Sequence, residues 1–292
     1  MSNFPIPMSL KIRSFAKIIS KYQGIFFDSY GVLKNYHGQI EGMAETLATL
    51  EAQGKVIFVL TNDASRSPQQ LAESFARIGL DCLGADRIIS SGMLAREYLR
   101  HKVRRGRVAY LGTDSSAHYL RDLGLTTISV AELDLAHCKD VAAMVLLDDE
   151  GFDWNRDLHK ALNLLRRYNV PAVVANTDET YPVAPNEVNI AIGGIADMLE
   201  AITNKRFIRF GKPDSQIFTF AYERMQQVAK IDRHHILMVG DTLHTDILGG
   251  NKYGLDTALV LTGNTLPEQA RFQIRANGIR PTYICESAVI RD

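Results

Sequence analysis

Four apolar runs in this chain end abruptly in side chains that can do chemistry. Asp28 follows the run that starts at Gly24, Thr61 and Asn62 follow Lys55 to Leu60, Lys212 follows Arg209, Phe210 and Gly211, and Asp241 closes His235 to Gly240, with Asp246 five residues on. Ligands of open parallel sheets bind at the carboxyl ends of the strands, so polar residues directly after such runs are where a site is sought. Two or three carboxylates suit a hard divalent cation. A hydroxyl, backbone amides and a lysine suit the oxygens of a phosphoryl group. A carboxylate can also attack as a nucleophile, dividing one difficult hydrolysis into two easier steps. Taken singly, each residue has an ordinary use: Asp after a strand caps helices, lysines face solvent, and Thr-Asn pairs form turns. The order of the whole set, at strand ends, carries the reading.

The elements that must position these residues are legible as an alternation. GIFFD (24–28), KVIFVL (55–60), VAYLG (108–112), AAMVLLD (142–148), PAVVANTD (171–178), HILMVGD (235–241), TALVLTG (257–263) and TYIC (282–285) are apolar runs of strand length, separated in large part by segments of helical period. The spacing predicts a helix over 41–53 that buries Met43, Leu47 and Leu50 and is ended by Gly54. Ser67 as cap, Pro68 at the first position and Gln70 as reciprocal partner announce another helix, with Leu71, Phe75 and Ile78 as its buried stripe. Further helices are expected near 116–123, 155–168 and 215–228, the last with Phe218, Tyr222 and Met225 on one face. Strands that are continuously apolar are buried on both faces, so the expected class is α/β with a parallel, Rossmann-like sheet. The two ends of the chain, 1–102 and 207–292, are expected to form the core domain, with a smaller α/β domain inserted at 103–206.

Composition removes several classes. The chain has 292 residues, 33 Lys+Arg against 33 Asp+Glu, and 46% hydrophobic residues, which describes an ordinary globular chain long enough to bury a core. Zero net charge removes the whole-chain attraction that non-specific nucleic-acid or acidic-membrane binding needs, and the basic run Lys102 to Arg107 reads as a solvated linker or helix end. Cys82, Cys138 and Cys285 are odd in number and lack metal-ligand spacing, so they are expected to be buried and reduced. Lys11, Arg13, Lys17 and Lys21 break the N-terminal region too often for a signal peptide or membrane span, so the expected location is the cytoplasm. The pair His234 and His235 has no further ligands at metal spacing and is expected at the surface.

The sequence resembles the haloacid dehalogenase superfamily, and within it the NagD-like branch of capped phosphatases. FFDSYGVL (26–33), LTND (60–63), GKPDSQIF (211–218) and VGDTLHTDILGG (239–250) carry the resemblance, and ANTDETYP (175–182) is similar to the segment that leads back from that branch's cap to its core. The resemblance implies that Asp28 is the nucleophile and a Mg²⁺ ligand, that the Tyr30 carbonyl is a second ligand and Asp241 a third, and that Asp246 supports the metal from nearby. It implies that Thr61, the Asn62 amide and Lys212 hold the phosphoryl oxygens of a small phosphorylated metabolite, such as a sugar phosphate or nucleotide. Asn176 and Asp178 would contact substrate, the inserted block would be the cap, and a homodimer would form, if at all, through that cap.

One position departs from the family pattern. Most phosphatases of this superfamily carry a second Asp two residues after the nucleophile, and here that residue is Tyr30. A phenol, with a reference pKa of about 10, can donate a proton at neutral pH but serves poorly as a base, so the second step is expected to be attenuated. The same motif, FDSYGVL, is also similar to that of the L-2-haloacid dehalogenases, which use neither metal nor proton donor. Asp241 and Asp246 favour the phosphatase over that rival. A third reading, a ligand-binding protein of low turnover, is encouraged by Asp63, where Asn is common, and opposed by Asp28, Lys212 and Asp241. Asp148, Asp149, Glu150 and Asp153 form an acidic run, read as a solvated loop.

Overall fold

The computed structural model describes residues 11–121, 123–184 and 187–291. The chain divides into two compact units, one formed by residues up to 57 together with 225 onward, the other by 58–224.

Four parallel strands form the first unit's sheet. Gly24–Phe27 pairs with Ile236–Gly240, which pairs with Asp256–Val260, which pairs with Tyr283–Cys285. Every residue of the first two strands is buried. A strand buried on both faces has no solvent side to make polar, which is why these segments read as unbroken apolar runs. The helix Met43–Ala52 buries Met43, Leu47 and Leu50 as its spacing predicted. Register then sets the functional edge: Phe27 is level with Val239, and the Asp28 amide donates to the Val239 carbonyl at 2.9 Å. Asp28 and Asp241 therefore leave neighbouring strands side by side. Beyond Asp241 the chain makes a π-helical turn, Leu243–Ile247, that runs straight into the helix Leu248–Tyr253. Such turns place an extra residue per turn and recur at functional sites.

The strand Val56–Thr61 begins in this unit, where the Val56 amide donates to the Gln23 carbonyl at 2.9 Å. In the second unit its Val59, Leu60 and Thr61 pair in parallel with Ile88–Ser90. The intervening helix, Pro68–Ala76, starts with the expected reciprocal cap: the Gln70 amide donates to Ser67 Oγ at 3.1 Å, and the Ser67 amide to Gln70 Oε1 at 2.9 Å. Leu71 and Phe75 are buried, whereas Ile78 lies past the helix end and is only partly covered.

A separate sheet of five parallel strands runs in the order Ile208–Arg209, Ala172–Val174, Val141–Leu146, Arg107–Leu111, Thr126–Ser129. The helices Trp154–Arg167 and Ile192–Thr203 pack on it, and Leu164, Leu165, Ile195 and Leu199 share one core with Leu111, Met144, Leu146 and Val174. Burying a side chain of this size contributes about 1.5–3 kcal/mol, so this core is a substantial source of stability for the unit. The α/β class with parallel sheets is as expected. The expected insert at 103–206 holds four of these five strands, while Ile208–Arg209 lies just beyond it and the compact division falls at 57/58 and 224/225. The helix expected near 116–123 is only the short His118–Arg121, and the antiparallel hairpin Thr180–Ala184 with Glu187–Ile190 had no sequence signal. Among the described residues, no helix is long and apolar enough to cross a membrane.

Candidate active site

The first unit gathers three carboxylates. Asp28, Asp241 and Asp246 each offer an oxygen within 4.8 Å of the others, and the residues are 9%, 1% and 0% exposed. Three carboxylates held this close repel one another, and a positive charge among them offsets that repulsion. An all-oxygen, all-carboxylate donor set fits a hard divalent cation such as Mg²⁺ or Ca²⁺ better than a soft one.

Asp241 is held at both carboxylate oxygens and at its carbonyl. Its Oδ1 accepts from Thr242 Oγ1 at 2.9 Å, its Oδ2 from the Asn264 amide at 2.6 Å, and its carbonyl from the Thr265 amide at 3.2 Å. The Asn264 side chain donates to Thr242 Oγ1 at 2.8 Å, closing a ring of contacts that fixes the carboxylate's rotation. The Thr242 amide also donates to Asp246 Oδ2 at 3.1 Å, so one residue orients two carboxylates. Two glycines make room: a Cβ on Gly31 or Gly263 would stand 2.2 or 1.9 Å from Asp241 Oδ2. Gly31 also has φ +80°, a conformation that side chains disfavour. It belongs to a tight turn after Asp28, in which the Gly31 amide donates to the Lys34 carbonyl at 2.7 Å and the Leu33 amide to the Ser29 carbonyl at 2.9 Å. Tyr30 sits half-buried in this turn.

The second unit gathers the other candidates. Thr61, Asn62 and Lys212 are 5%, 1% and 2% exposed. Thr61 Oγ1 accepts the Asp63 amide at 3.1 Å, and Ser91 Oγ donates to the Asn62 carbonyl at 2.8 Å, which orders the end of the strand. The Asn62 side chain reaches Lys212, Thr177 and Asp178 at once. Asn176 lies beside this group, its Oδ1 accepting the Asp178 amide at 2.8 Å. Sequence reasoning named Asn62, Asp178 and Lys212 but missed Thr177, whose only signal was its place inside ANTDETYP. An ammonium on a buried lysine suits the oxygens of a phosphate.

Other features take ordinary roles. Asp63 Oδ1 accepts the amide and the hydroxyl of Ser65 at 2.8 and 2.6 Å, making a turn ahead of the capped helix. Asp153 caps the helix Trp154–Arg167 through the Arg156 amide at 2.7 Å. Asp148 is not simply solvated: burial, with Asp149, Asp63 and Glu150 nearby, pushes its carboxyl up to about 6. Burial likewise raises Asp149, whose Oδ2 accepts from the Tyr181 hydroxyl at 3.0 Å. His234 and His235 are exposed, as expected. Cys138 and Cys285 are buried, with the Cys285 thiol pushed up to about 12 by burial, while Cys82 is only partly covered.

The comparisons agree with the motif reading. A family described as haloacid dehalogenase-like hydrolase matches residues 25–126, and a second, described as HAD-hydrolase-like, matches 209–289. Chronophin of Bos taurus is 30% identical over 277 residues, covering 92% of this chain and 92% of its own. A crystal structure described as a possible sugar phosphatase of the HAD superfamily, from Cytophaga hutchinsonii, is 56% identical with a TM-score of 0.93, covering 97% of this chain and 100% of its own. Glycerol phosphate phosphatase Rv1692 from Mycobacterium tuberculosis, solved in complex with calcium, is 25% identical with a TM-score of 0.74, covering 95% of this chain and 76% of its own.

Proposed function

The chain belongs to the haloacid dehalogenase-like hydrolases, and on that premise we propose that it is a Mg²⁺-dependent phosphatase of a small phosphorylated metabolite, such as a sugar phosphate or nucleotide. The observation that carries the reading is the buried set Asp28, Asp241 and Asp246, with oxygens within 4.8 Å of one another, the first two at the ends of neighbouring parallel strands and the third in the turn that follows. The phosphatase and metal complexes among its relatives support it.

In this proposal Asp28, the Tyr30 carbonyl, Asp241 and Asp246 hold the ion. Bound there, Mg²⁺ would offset the repulsion between an anionic nucleophile and a phosphate. Thr61 Oγ1, the Asn62 amide and the Lys212 ammonium hold phosphoryl oxygens. An Asp28 oxygen attacks phosphorus, the bond from phosphorus to the ester oxygen breaks, and the departing alkoxide takes a proton. Water then attacks the aspartyl-phosphate, releasing inorganic phosphate and restoring Asp28. In this proposal Tyr30 gives the first proton and recovers one from solvent, and the reprotonated phenol is a poor base for the second step. The inserted α/β block serves as the cap that excludes water and selects substrate, and the cytoplasm is the site of action.

The dehalogenase alternative shares Asp28 and Tyr30 but has no task for a buried pair such as Asp241 and Asp246. Phosphate release from p-nitrophenyl phosphate, with Mg²⁺ and with chelator, in wild type and Asp28→Asn, tests the proposal. Release that needs both metal and Asp28 is expected. Halide release from 2-chloropropionate without metal, and no phosphate release, would transfer the assignment to the dehalogenase.

A further inference from the structure

The Asn62 side chain reaches two distant segments. Its Oδ1 accepts the Lys212 amide at 2.7 Å, and its Nδ2 shares its two hydrogens among the Lys212 carbonyl at 3.1 Å, Thr177 Oγ1 at 3.0 Å and Asp178 Oδ1 at 2.8 Å. Thr177 Oγ1 in turn donates to the same Lys212 carbonyl at 2.6 Å. Lys212 is thus held at both its amide and its carbonyl, by two side chains from two other parts of the chain. The site is shaped for this contact. Gly211 has φ +115°, and a Cβ there would stand 2.5 Å from Asn62 Oδ1. Asn62 is itself anchored through its carbonyl by Ser91.

We propose that Asn62 and Thr177 are positioning residues for Lys212: together they clamp its backbone so that its ammonium meets the phosphoryl oxygens in the reacting geometry. The proposal rests on the phosphatase reading for the task of Lys212, and on the clamp's own geometry for the positioning. Thr177 does two jobs with one hydroxyl, accepting from Asn62 and donating to Lys212. A serine can do the same, whereas valine keeps the shape and loses both bonds. Asn62 also ties Lys212 to Asp178, so the segment 176–178 and the lysine are ordered together.

The effect of such positioning is large because a misplacement of about 1 Å can cost on the order of 10²-fold in rate. A partial loosening by Thr177→Val is expected to lower kcat/KM by about tenfold, while Thr177→Ser stays within about twofold of wild type. The test is a double-mutant cycle against Lys212→Ala with p-nitrophenyl phosphate, together with hydrogen exchange of the Lys212 amide. If the clamp works through Lys212, Thr177→Val costs nothing further once Lys212 is alanine. An equal tenfold loss in both backgrounds would overturn the proposal, as would a valine variant as active as the serine one. Hydrogen exchange separates this failure from failure of the phosphatase reading, because it needs no turnover. The Lys212 amide should exchange slowly in wild type and Thr177→Ser and faster in Thr177→Val, at unchanged melting temperature. Equal protection in all three would overturn the clamp even in a protein without phosphatase activity.

Discussion

Asp241 and Gly263 are in contact so close that a single methyl group would break it: a Cβ at Gly263 would stand 1.9 Å from Asp241 Oδ2 and 2.7 Å from the Gly31 Cα. The carboxylate cannot swing away without leaving the Asn264 amide and Thr242 hydroxyl that hold it. Gly263→Ala should therefore displace Asp241, the proposed metal ligand, while leaving the core intact. A Mg²⁺ titration of activity, read beside Mg²⁺-induced thermal stabilisation, should show affinity weakened by about 10–100-fold. Affinity equal to wild type would mean that Asp241 does not hold the ion.

Thr242 orients two carboxylates, one through its hydroxyl and one through its amide. Thr242→Val keeps the amide and the shape but removes the hydroxyl that donates to Asp241 Oδ1 and accepts from Asn264. The half-saturating Mg²⁺ concentration should rise by about tenfold while kcat at saturating metal changes little. A fall in kcat without a change in metal dependence would place Thr242 outside the metal centre.

Asp148 gives stability a pH dependence whose sign can be worked out. Its folded carboxyl is raised to about 6 from an unfolded value of 3.8, chiefly by burial and then by Asp149, Asp63 and Glu150. The folded state therefore holds the proton more tightly, so this contribution is fully present below pH 4 and is lost as pH rises through about 6. Two pKa units correspond to about 3 kcal/mol as an upper bound, and screening of a group this accessible reduces that to about 1 kcal/mol. Asp148→Asn keeps an acceptor for the Asp149 amide. It should raise the melting temperature by about 2 °C at pH 7.5 and by nothing measurable at pH 4. The same gain at both pH values would show that the charge is not the cause.

Much of this was readable from the chain, and what was not shares a physical cause. Asp28 and Asp241 were picked out because each follows an unbroken apolar strand, Asp246 because it stands five residues past Asp241, and the reciprocal cap of Ser67 and Gln70 because its two partners are three residues apart. Thr177 was missed because its meaning comes from Asn62 and Lys212, 115 and 35 residues away. The hairpin Thr180–Ala184 with Glu187–Ile190 was missed because no residue of it is buried, so no face imposed an alternation. The Asp148 carboxyl was read as solvated because acidic runs usually are, whereas its burial comes from the fold.

Tyr30 predicts which step is slow. With a phenol where a carboxylate base would stand, formation of the covalent intermediate should outrun its hydrolysis. Rapid-quench kinetics should show a burst of p-nitrophenol before slow turnover, and Tyr30→Asp should shrink the burst and raise the steady rate by roughly 10²-fold. An unchanged burst and rate in Tyr30→Asp would remove this position from proton transfer.

The central claim is that Asp28 itself becomes phosphorylated. The most direct measurement is acid quenching of the enzyme during turnover with Mg²⁺, followed by mass spectrometry of the peptide that contains residues 24–34. The account predicts one phosphoryl group on Asp28 in wild type, absent with chelator and absent in Asp28→Asn. An unmodified peptide during active phosphate release, or a phosphoryl group on another residue, would contradict it.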